Sequence, residues 1–249
     1  MAYIRCDYSS DFLKMNTSMI VLLPEKRPPA QAPVIYLLHG LTDNCTGWTR
    51  YTSVERYARE LEAAVVMPEV QRSFYTDMAL GVDYFSYIRQ ELPEVCGRLF
   101  GLSSDREKNY IMGLSMGGYG AIKCALTAPS QYAGCAAFSA VTDVAGRWER
   151  ANAGEGREFC AIFGTEKLVP ENCDLFALAR KADPAILPAF YLTCGEQDAL
   201  YEENLAFAKL LRQRNIGMEF LHWSGDHSWD FWDRSLRQAM EALLSVKKE

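Results

Sequence analysis

The sequence lacks the cysteine spacing that marks metal and thiol-redox sites. Its 249 residues include eight cysteines, but no two of them form a C-x-x-C pair, the usual element of a zinc or thioredoxin-like motif. Several of the cysteines fall within apolar runs that are typical of core strands or helices. We therefore expect buried, reduced thiols and no metal site.

The sequence also lacks dense basic clusters and long apolar runs. Lysine and arginine total 26 against 32 acidic residues, for a net charge of −6, so a surface that follows nucleic-acid phosphates is not expected. No apolar run reaches the ~18 residues of a membrane-spanning helix, and the chain does not open with a basic segment followed by an apolar one. These absences predict a cytoplasmic protein without nucleic-acid or membrane partners, although a mature chain whose signal had been removed would look much the same.

Short apolar runs alternate with helical patterns along most of the chain. The run Val34–Leu38 is apolar throughout, as expected for a strand covered on both faces. The alternation predicts one α/β domain over residues 1–249, with a mostly parallel central sheet and helices on both faces. The predicted strands are Tyr3–Tyr8, Ser18–Leu23, Val34–Leu38, Ala64–Met67, Asn109–Met112, Cys135–Ser139, Pro188–Cys194 and Met218–Trp223. The predicted helices are Ser53–Glu62, Leu80–Phe100 with an interruption at Pro93, Ser115–Ala128, Glu202–Arg212 and Phe231–Val246.

One segment, Val144–Lys181, breaks this alternation. It mixes glycine, charged residues and aromatic residues and shows no clear strand. A segment of this length above a sheet is either a lid that shapes a pocket or a longer connection. We expect a lid, because the segment follows the strand next after the central glycine-rich motif described below.

That motif is Gly113-Leu114-Ser115-Met116-Gly117, which lies between a predicted strand and a predicted helix. The order strand, G-x-S-x-G, helix is typical of a nucleophile elbow, in which a sharp turn projects the serine hydroxyl above the sheet. The glycines lack a Cβ atom and so allow the strand and the helix to approach closely. We expect Ser115 to be a nucleophile.

A serine nucleophile needs a histidine base, and the sequence contains only three histidines. His39 ends a buried strand and suits a loop, whereas His222 falls within a predicted strand. His227 lies in a turn-rich loop between the last predicted strand and the last predicted helix. We predict that His227 is the base.

The acid that orients this base is expected after a strand between the serine and the histidine in chain order. Asp198 fits best, because it follows the strand Pro188–Cys194 in Gly195-Glu196-Gln197-Asp198. Three rival carboxylates stay open as alternatives, namely Glu196, Asp226 and Asp143.

An oxyanion formed by attack on a carbonyl needs two convergent N–H donors. The amide of Met116, which directly follows the serine, is one expected donor. The amide of Leu41, in the His39-Gly40-Leu41 turn after an early buried strand, is the other.

Taken together, four motifs resemble the esterase D-like branch of the α/β-hydrolases. They are Leu37-Leu38-His39-Gly40-Leu41, Gly113-Leu114-Ser115-Met116-Gly117-Gly118, Gly195-Glu196-Gln197-Asp198 and Gly225-Asp226-His227. The resemblance spans nearly the whole chain and implies an α/β-hydrolase fold with Ser115, Asp198 and His227 as the catalytic triad. It also implies Leu41 and Met116 as oxyanion donors. This branch includes tributyrin and acetyl esterases, feruloyl esterases and S-formylglutathione hydrolases.

The expected activity is hydrolysis of short-chain or small aromatic acyl esters, including carbohydrate-linked ones, without a cofactor. Five aromatic residues are candidates for the walls of the substrate pocket: Trp48, Phe74, Tyr75, Trp148 and Phe163. Each of them could equally be a core residue. The expected partner is a small-molecule ester, and a homodimer or higher homo-oligomer stays open.

Three alternative functions remain open at this stage. A glutathione thioester would need cationic groups such as Arg50 or Arg72 to meet its carboxylates. Acyl transfer to an alcohol would need a pocket that excludes water. A non-catalytic scaffold is the alternative outside the enzyme class, although all three triad residue types are present.

Overall fold

A computed structural model describes residues 1–245 and shows one eight-stranded sheet in the order β1-β2-β4-β3-β5-β6-β7-β8. Strand β2 pairs antiparallel with both β1 and β4, and the pairs from β4 to β8 are all parallel. The prediction of a mostly parallel sheet is therefore confirmed. The strands are β1 (Ala2–Ser10), β2 (Met15–Leu23), β3 (Val34–Leu38), β4 (Ala64–Pro68), β5 (Asn109–Leu114), β6 (Gly134–Phe138), β7 (Ala189–Gly195) and β8 (Met218–Trp223).

Helices connect the parallel strands, and the predicted ones lie within a few residues of their expected positions. Val246, the end of the last predicted helix, lies outside the described residues. Within residues 1–245 no helix combines the length and the apolar character needed to cross a membrane. The helices are α1 (Gly47–Tyr51), α2 (Val54–Leu61), α3 (Tyr84–Ser86), α4 (Leu92–Phe100), α5 (Met116–Thr127), α6 (Val144–Glu149), α7 (Ala153–Phe163), α8 (Leu175–Lys181), α9 (Tyr201–Gln213) and α10 (Trp229–Ser245).

The central strands are apolar throughout because both faces of the sheet are covered. Along β3, Val34 and Tyr36 pack into one hydrophobic cluster, whereas Ile35 and Leu37 pack into a second cluster on the opposite face. Successive side chains of a strand point to opposite faces, so the continuous apolar run follows directly from burial on both sides. This confirms the layered arrangement expected from the sequence.

Pro93 does not interrupt the long helical segment in the way that the sequence suggested. A π-helical turn at Tyr87–Glu91 joins α3 to α4, and Pro93 lies in the first turn of α4. Proline has no N–H with which to bond the carbonyl of Arg89 four residues earlier. The side-chain amide of Gln131 donates to that carbonyl instead, at 3.1 Å. The freed acceptor is thus satisfied and the segment stays helical.

The predicted lid segment contains α6, α7 and α8, which pack against the main cluster. Phe159, Ile162 and Leu175 are at most 2% exposed and belong to the same cluster as the core of the sheet. The segment therefore shares the core of the domain. Its description as a lid stays a prediction.

Candidate active site

Ser115 lies at the sharp turn between β5 and α5. Its backbone has φ 52° and ψ −115°, a strained conformation that is characteristic of functional turns. A Cβ atom on Gly113 would lie 2.4 Å from the backbone of Gly117, and one on Gly117 would lie 2.4 Å from the carbonyl oxygen of Leu38. The two glycines are therefore required for the close approach of β5, α5 and the loop after β3.

The structure brings Ser115, His227 and Asp198 into one hydrogen-bonded chain. The Ser115 Oγ lies 3.1 Å from the Nε2 of His227, and the Nδ1 of His227 lies 2.8 Å from the Oδ2 of Asp198. Each side chain follows the carboxyl end of a parallel strand: β5 for Ser115, β7 for Asp198 and β8 for His227. Parallel strands bring these ends together at one edge of the sheet, which explains how residues far apart in sequence meet.

The carboxyl group of Asp198 is buried, with a fully covered side chain, yet it is held as a carboxylate. Burial acts to raise its pKa, but hydrogen bonds from His227 and from the Leu200 amide, at 2.9 Å, outweigh burial and hold the pKa below its usual range. Asp198 therefore stays ionised at neutral pH and can stabilise a protonated imidazole.

The three rival carboxylates have other positions. Glu196 lies 2.9 Å from the Nδ1 of His222, on the outer strand β8. Asp143 caps α6 by accepting a hydrogen bond of 2.8 Å from the Gly146 amide. Asp226 precedes His227 in the chain, but the Nδ1 of that histidine faces Asp198 instead.

A cavity of about 610 Å³ opens above Ser115. Both Leu41 and Met116, the expected oxyanion donors, line it next to the serine. Met116 is the first residue of α5, and amides in the first turn of a helix have no acceptor within that helix. The amide of Met116 is therefore available, and the positive end of the helix dipole lies beside the serine.

The loop after β3, which carries Leu41, is held through four consecutive backbone carbonyls. Trp48 Nε1 donates to the carbonyl of Leu38 at 3.1 Å, and the Tyr75 hydroxyl donates to that of His39 at 2.9 Å. The Gly40 carbonyl accepts from the amide of Asp43 at 3.2 Å and lies 2.8 Å from the Nδ1 of His39. The Leu41 carbonyl accepts from Arg72 Nη1 at 3.3 Å. These contacts fix the direction of the peptide groups in the loop.

Four of the five aromatic residues proposed as pocket walls do not line this cavity. Only Phe74 among them does. Trp48 Nε1 and the Tyr75 hydroxyl donate to carbonyls of the loop after β3. The rings of Trp148 and Phe163 pack against each other in the core, tilted by 35° and with centroids 5.8 Å apart. All four are at most 6% exposed. Their assignment as substrate-binding residues is corrected to core packing.

Other residues form the walls instead. Trp229 and Trp232, on the first turn of α10 just after His227, line the cavity, as does Arg147 of α6. The rings of His227 and Trp232 are perpendicular, with centroids 4.8 Å apart. The sequence does carry a signal for the two tryptophans as wall residues. They follow His227 directly, and a helix that begins at the site must place its first side chains there.

The cysteines stand outside this site as free thiols. Burial raises the pKa of Cys45 to about 11 and that of Cys194 to about 12, so these two are poor nucleophiles at neutral pH. Within residues 1–245, histidine, cysteine and acidic side chains form no group of three or more that could hold a metal ion.

In sequence and in fold, the chain is similar to known esterases and serine hydrolases. The family model named Esterase matches residues 10–243. The acetyl esterase of Caldicellulosiruptor saccharolyticus is 28% identical, and the alignment covers 99% of each chain. The structure of the fluorophosphonate-binding serine hydrolase F (FphF) of Staphylococcus aureus is 35% identical and superposes with a TM-score of 0.91, covering 98% of each chain. An S-formylglutathione hydrolase (FrmB) from the same bacterium is also 35% identical, with a TM-score of 0.88 and 98% of each chain covered.

Proposed function

We propose that this chain, which belongs to the Esterase family and is a serine carboxylic ester hydrolase of the α/β-hydrolase fold, hydrolyses short-chain acyl esters through Ser115, His227 and Asp198. The observation that carries the proposal is the hydrogen-bonded chain of these three side chains at the floor of one cavity. The acetyl esterase relative supports a short acyl group.

In the proposed mechanism, Ser115 attacks the ester carbonyl while His227 Nε2 takes the proton of the hydroxyl. Asp198 holds the imidazole through Nδ1 and stabilises its positive charge. The amides of Met116 and Leu41 stabilise the negative charge on the carbonyl oxygen. His227 then protonates the leaving alcohol and activates a water molecule that releases the acyl group from Ser115.

The cavity walls support a small, apolar acyl or alcohol group. Leu114, Val141, Leu200 and the two tryptophans of α10 are among the apolar residues that line the cavity. A volume of about 610 Å³ falls within the range of small-molecule sites. Small aromatic acyl groups such as feruloyl also match walls of this kind, and they form the second arm of the substrate test below.

Thioester hydrolysis is the second candidate, because one arginine lines the cavity. Arg147 Nη2 lies 3.3 Å from Glu155, and its side chain is 30% exposed, so a substrate carboxylate could compete for it. The arginines considered from the sequence are less suitable. Arg72 is paired with Glu158 and with the Leu41 carbonyl, and Arg50 packs over the Tyr51 ring.

Steady-state kinetics on a defined substrate panel tests both candidates. The panel contains p-nitrophenyl esters from acetate to decanoate, methyl ferulate and S-formylglutathione, with and without a serine-reactive phosphonate. Fast, phosphonate-sensitive turnover of short or feruloyl esters supports the ester proposal. A strong preference for the thioester, lost in Arg147→Gln, supports the second candidate.

Two variants assign the nucleophile. Ser115→Ala should abolish ester turnover and phosphonate labelling while the protein stays folded. Ser103→Ala, which alters a partly exposed serine whose hydroxyl accepts a hydrogen bond from the backbone amide of Asp105, should behave like the wild type. Retained turnover in Ser115→Ala would remove Ser115 as nucleophile, and absence of any turnover or labelling in the wild type would favour a non-catalytic scaffold.

A further inference from the structure

A buried amine and a buried thiol lie together outside the candidate active site. Lys123 of α5 is 2% exposed and Cys173, before α8, is 3% exposed. The Nζ of Lys123 lies 3.3 Å from the Sγ of Cys173. It also donates to the Tyr75 carbonyl at 3.2 Å and to the Thr76 hydroxyl at 3.1 Å. Within the described part of the chain, no carboxylate is among these contacts.

The surroundings favour the neutral amine of Lys123. Burial of an ammonium group without a counter-charge is costly, and burial lowers the pKa of Lys123 below its usual value. The Phe85 ring, 4.4 Å from Nζ, offers a weaker contact than a carboxylate would. An amine with a free electron pair is a base and a nucleophile, and its nearest reactive neighbour is the sulfur of Cys173.

A separate cavity gives small molecules a route to this pair. It has a volume of about 180 Å³ and is lined by both Lys123 and Cys173. Four other lining residues are exposed at the surface, namely Asp77, Ala79, Pro170 and Asn172. The candidate catalytic residues do not line it, so an oxidant of the size of hydrogen peroxide can reach the sulfur without entering the substrate cavity.

We propose that Lys123 and Cys173 form a reversible, peroxide-dependent covalent bond between Nζ and Sγ. Lys123 first takes the proton of the thiol, and the thiolate attacks the peroxide. The O–O bond breaks, the sulfur becomes a sulfenic acid, and the departing hydroxide leaves as water with the proton from Lys123. The amine then attacks the sulfur and expels the sulfenic oxygen as a second water, which leaves an S–N bond, a sulfenamide. One thiol, one amine and one peroxide thus give one sulfenamide and two waters.

The bond would join two regions that are 50 positions apart in sequence. Lys123 belongs to the helix that begins after Ser115, and Cys173 belongs to the segment Val144–Lys181. A cross-link of this span restricts the unfolded chain in the way that a disulfide does. The oxidised protein should therefore melt on the order of 5 °C higher than the reduced protein, and a thiol reductant should reverse the change.

Peptide mass spectrometry on the full-length protein tests the proposal directly. The protein is treated with a small excess of hydrogen peroxide, quenched with catalase, alkylated at the remaining thiols and digested with trypsin. A blocked Lys123 prevents cleavage after it, so the expected product joins peptide 109–147 to peptide 168–180. Its mass should equal the sum of the two peptides less about 2 Da, the two hydrogens lost in the reaction.

Three variants separate this bond from general oxidation. Cys173→Ser keeps an acceptor for Lys123, and Lys123→Met keeps the side-chain volume; both should lose the joined peptides and the rise in Tm. Cys160→Ser removes another cysteine of the same segment and should retain both. Sulfinic or sulfonic acid on Cys173 without joined peptides, or an unmodified Cys173 beside an oxidised Cys160, would overturn the proposal. If Lys123→Met fails to fold, Cys173→Ser alone still decides it.

Discussion

At the scale of single residues, mutagenesis can test directly which carboxylate orients His227. Replacing Asp198 by asparagine keeps the shape of the side chain but removes the charge that fixes the tautomer of His227. We expect kcat to fall by about 10⁴-fold, with KM little changed, in steady-state hydrolysis of p-nitrophenyl acetate. Asp226→Asn is the matched control, because Asp226 is adjacent to His227 in sequence but is not its hydrogen-bond partner at Nδ1. A larger loss in the control, or in Asp143→Asn, would contradict the assignment.

Tyr75 gives a second prediction at this scale, through the loop that carries Leu41. Its hydroxyl is the donor to the His39 carbonyl, so Tyr75→Phe frees the peptide group two residues before the proposed oxyanion donor. We expect kcat to fall by about 10-fold, because a misplaced donor stabilises the transition state less. KM should change little, since the ring does not line the cavity.

The control for Tyr75→Phe must remove a buried tyrosine hydroxyl elsewhere. Tyr87 is fully buried, and its hydroxyl lies 2.9 Å from that of Tyr8, far from the cavity. Both changes should cost about 1 kcal/mol in the free energy of unfolding, measured by urea titration. If Tyr87→Phe lowers kcat as much as Tyr75→Phe does, the effect is one of general stability and the positioning role is wrong.

The same residues show why the meeting of the three candidate catalytic side chains could be predicted and the residues that line the cavity could not. Ser115, Asp198 and His227 each follow a strand, and the ends of parallel strands meet at one edge of the sheet, so chain order alone predicts their meeting. The direction of an aromatic side chain in a loop depends on local dihedral angles. Phe74 and Tyr75 both have positive φ, 48° and 47°, and this backbone points one ring at the cavity and the other at a carbonyl. No periodicity in the sequence encodes that.

At the scale of elements, the contact between α5 and the loop after β3 sets the distance between that loop, which carries Leu41, and the start of α5 beside Ser115. Gly117→Ala would place a Cβ atom 2.4 Å from the Leu38 carbonyl oxygen, so the loop carrying Leu41 must move. We expect a loss of about 1–3 kcal/mol in the free energy of unfolding and a fall in kcat of about 100-fold, measured by urea titration and by steady-state kinetics.

Gly156→Ala provides the matched helical control for Gly117→Ala. The position lies in α7 with open space around it, so the extra methyl group should stabilise the helix by about 0.5–1 kcal/mol and leave kcat unchanged. Equal activity of the two alanine variants would show that close packing of α5 on the loop is not required for catalysis.

Local burial and tertiary contacts also explain which element boundaries could be predicted from the sequence and which could not. The strand β3 was predicted with its observed bounds, because burial on both faces makes all five of its residues apolar. Helix α1, with five residues, was not predicted, since it is too short to show a helical period. The sequence predicts an interruption at Pro93. The side chain of Gln131, which satisfies the freed carbonyl of Arg89, makes a tertiary contact that no local pattern reveals.

At the scale of the whole molecule, one sheet supports two hydrophobic clusters, and the segment Val144–Lys181 contributes to the larger one. Phe159 contacts the rings of Phe74 and Trp148, with centroids 5.4 Å and 6.1 Å away. A segment that buries its aromatic residues in the common core should lose its structure only when that core does. This favours a fixed wall of the site over an independently opening lid.

Cysteine labelling during unfolding can test whether the segment unfolds with the sheet, because a buried thiol lies in each of them. Cys173 belongs to the segment, and Cys135 lies in the central strand β6; both are at most 3% exposed. Pulsed alkylation across a urea titration, read by peptide mass spectrometry, should give one midpoint for the two thiols, since they share one cooperative unit. Cys160, which is half-buried in α7, serves as the internal control for local access to reagent. Labelling of Cys173 at a clearly lower urea concentration than Cys135 would show that the segment unfolds on its own, and the lid predicted from the sequence would then be the better description.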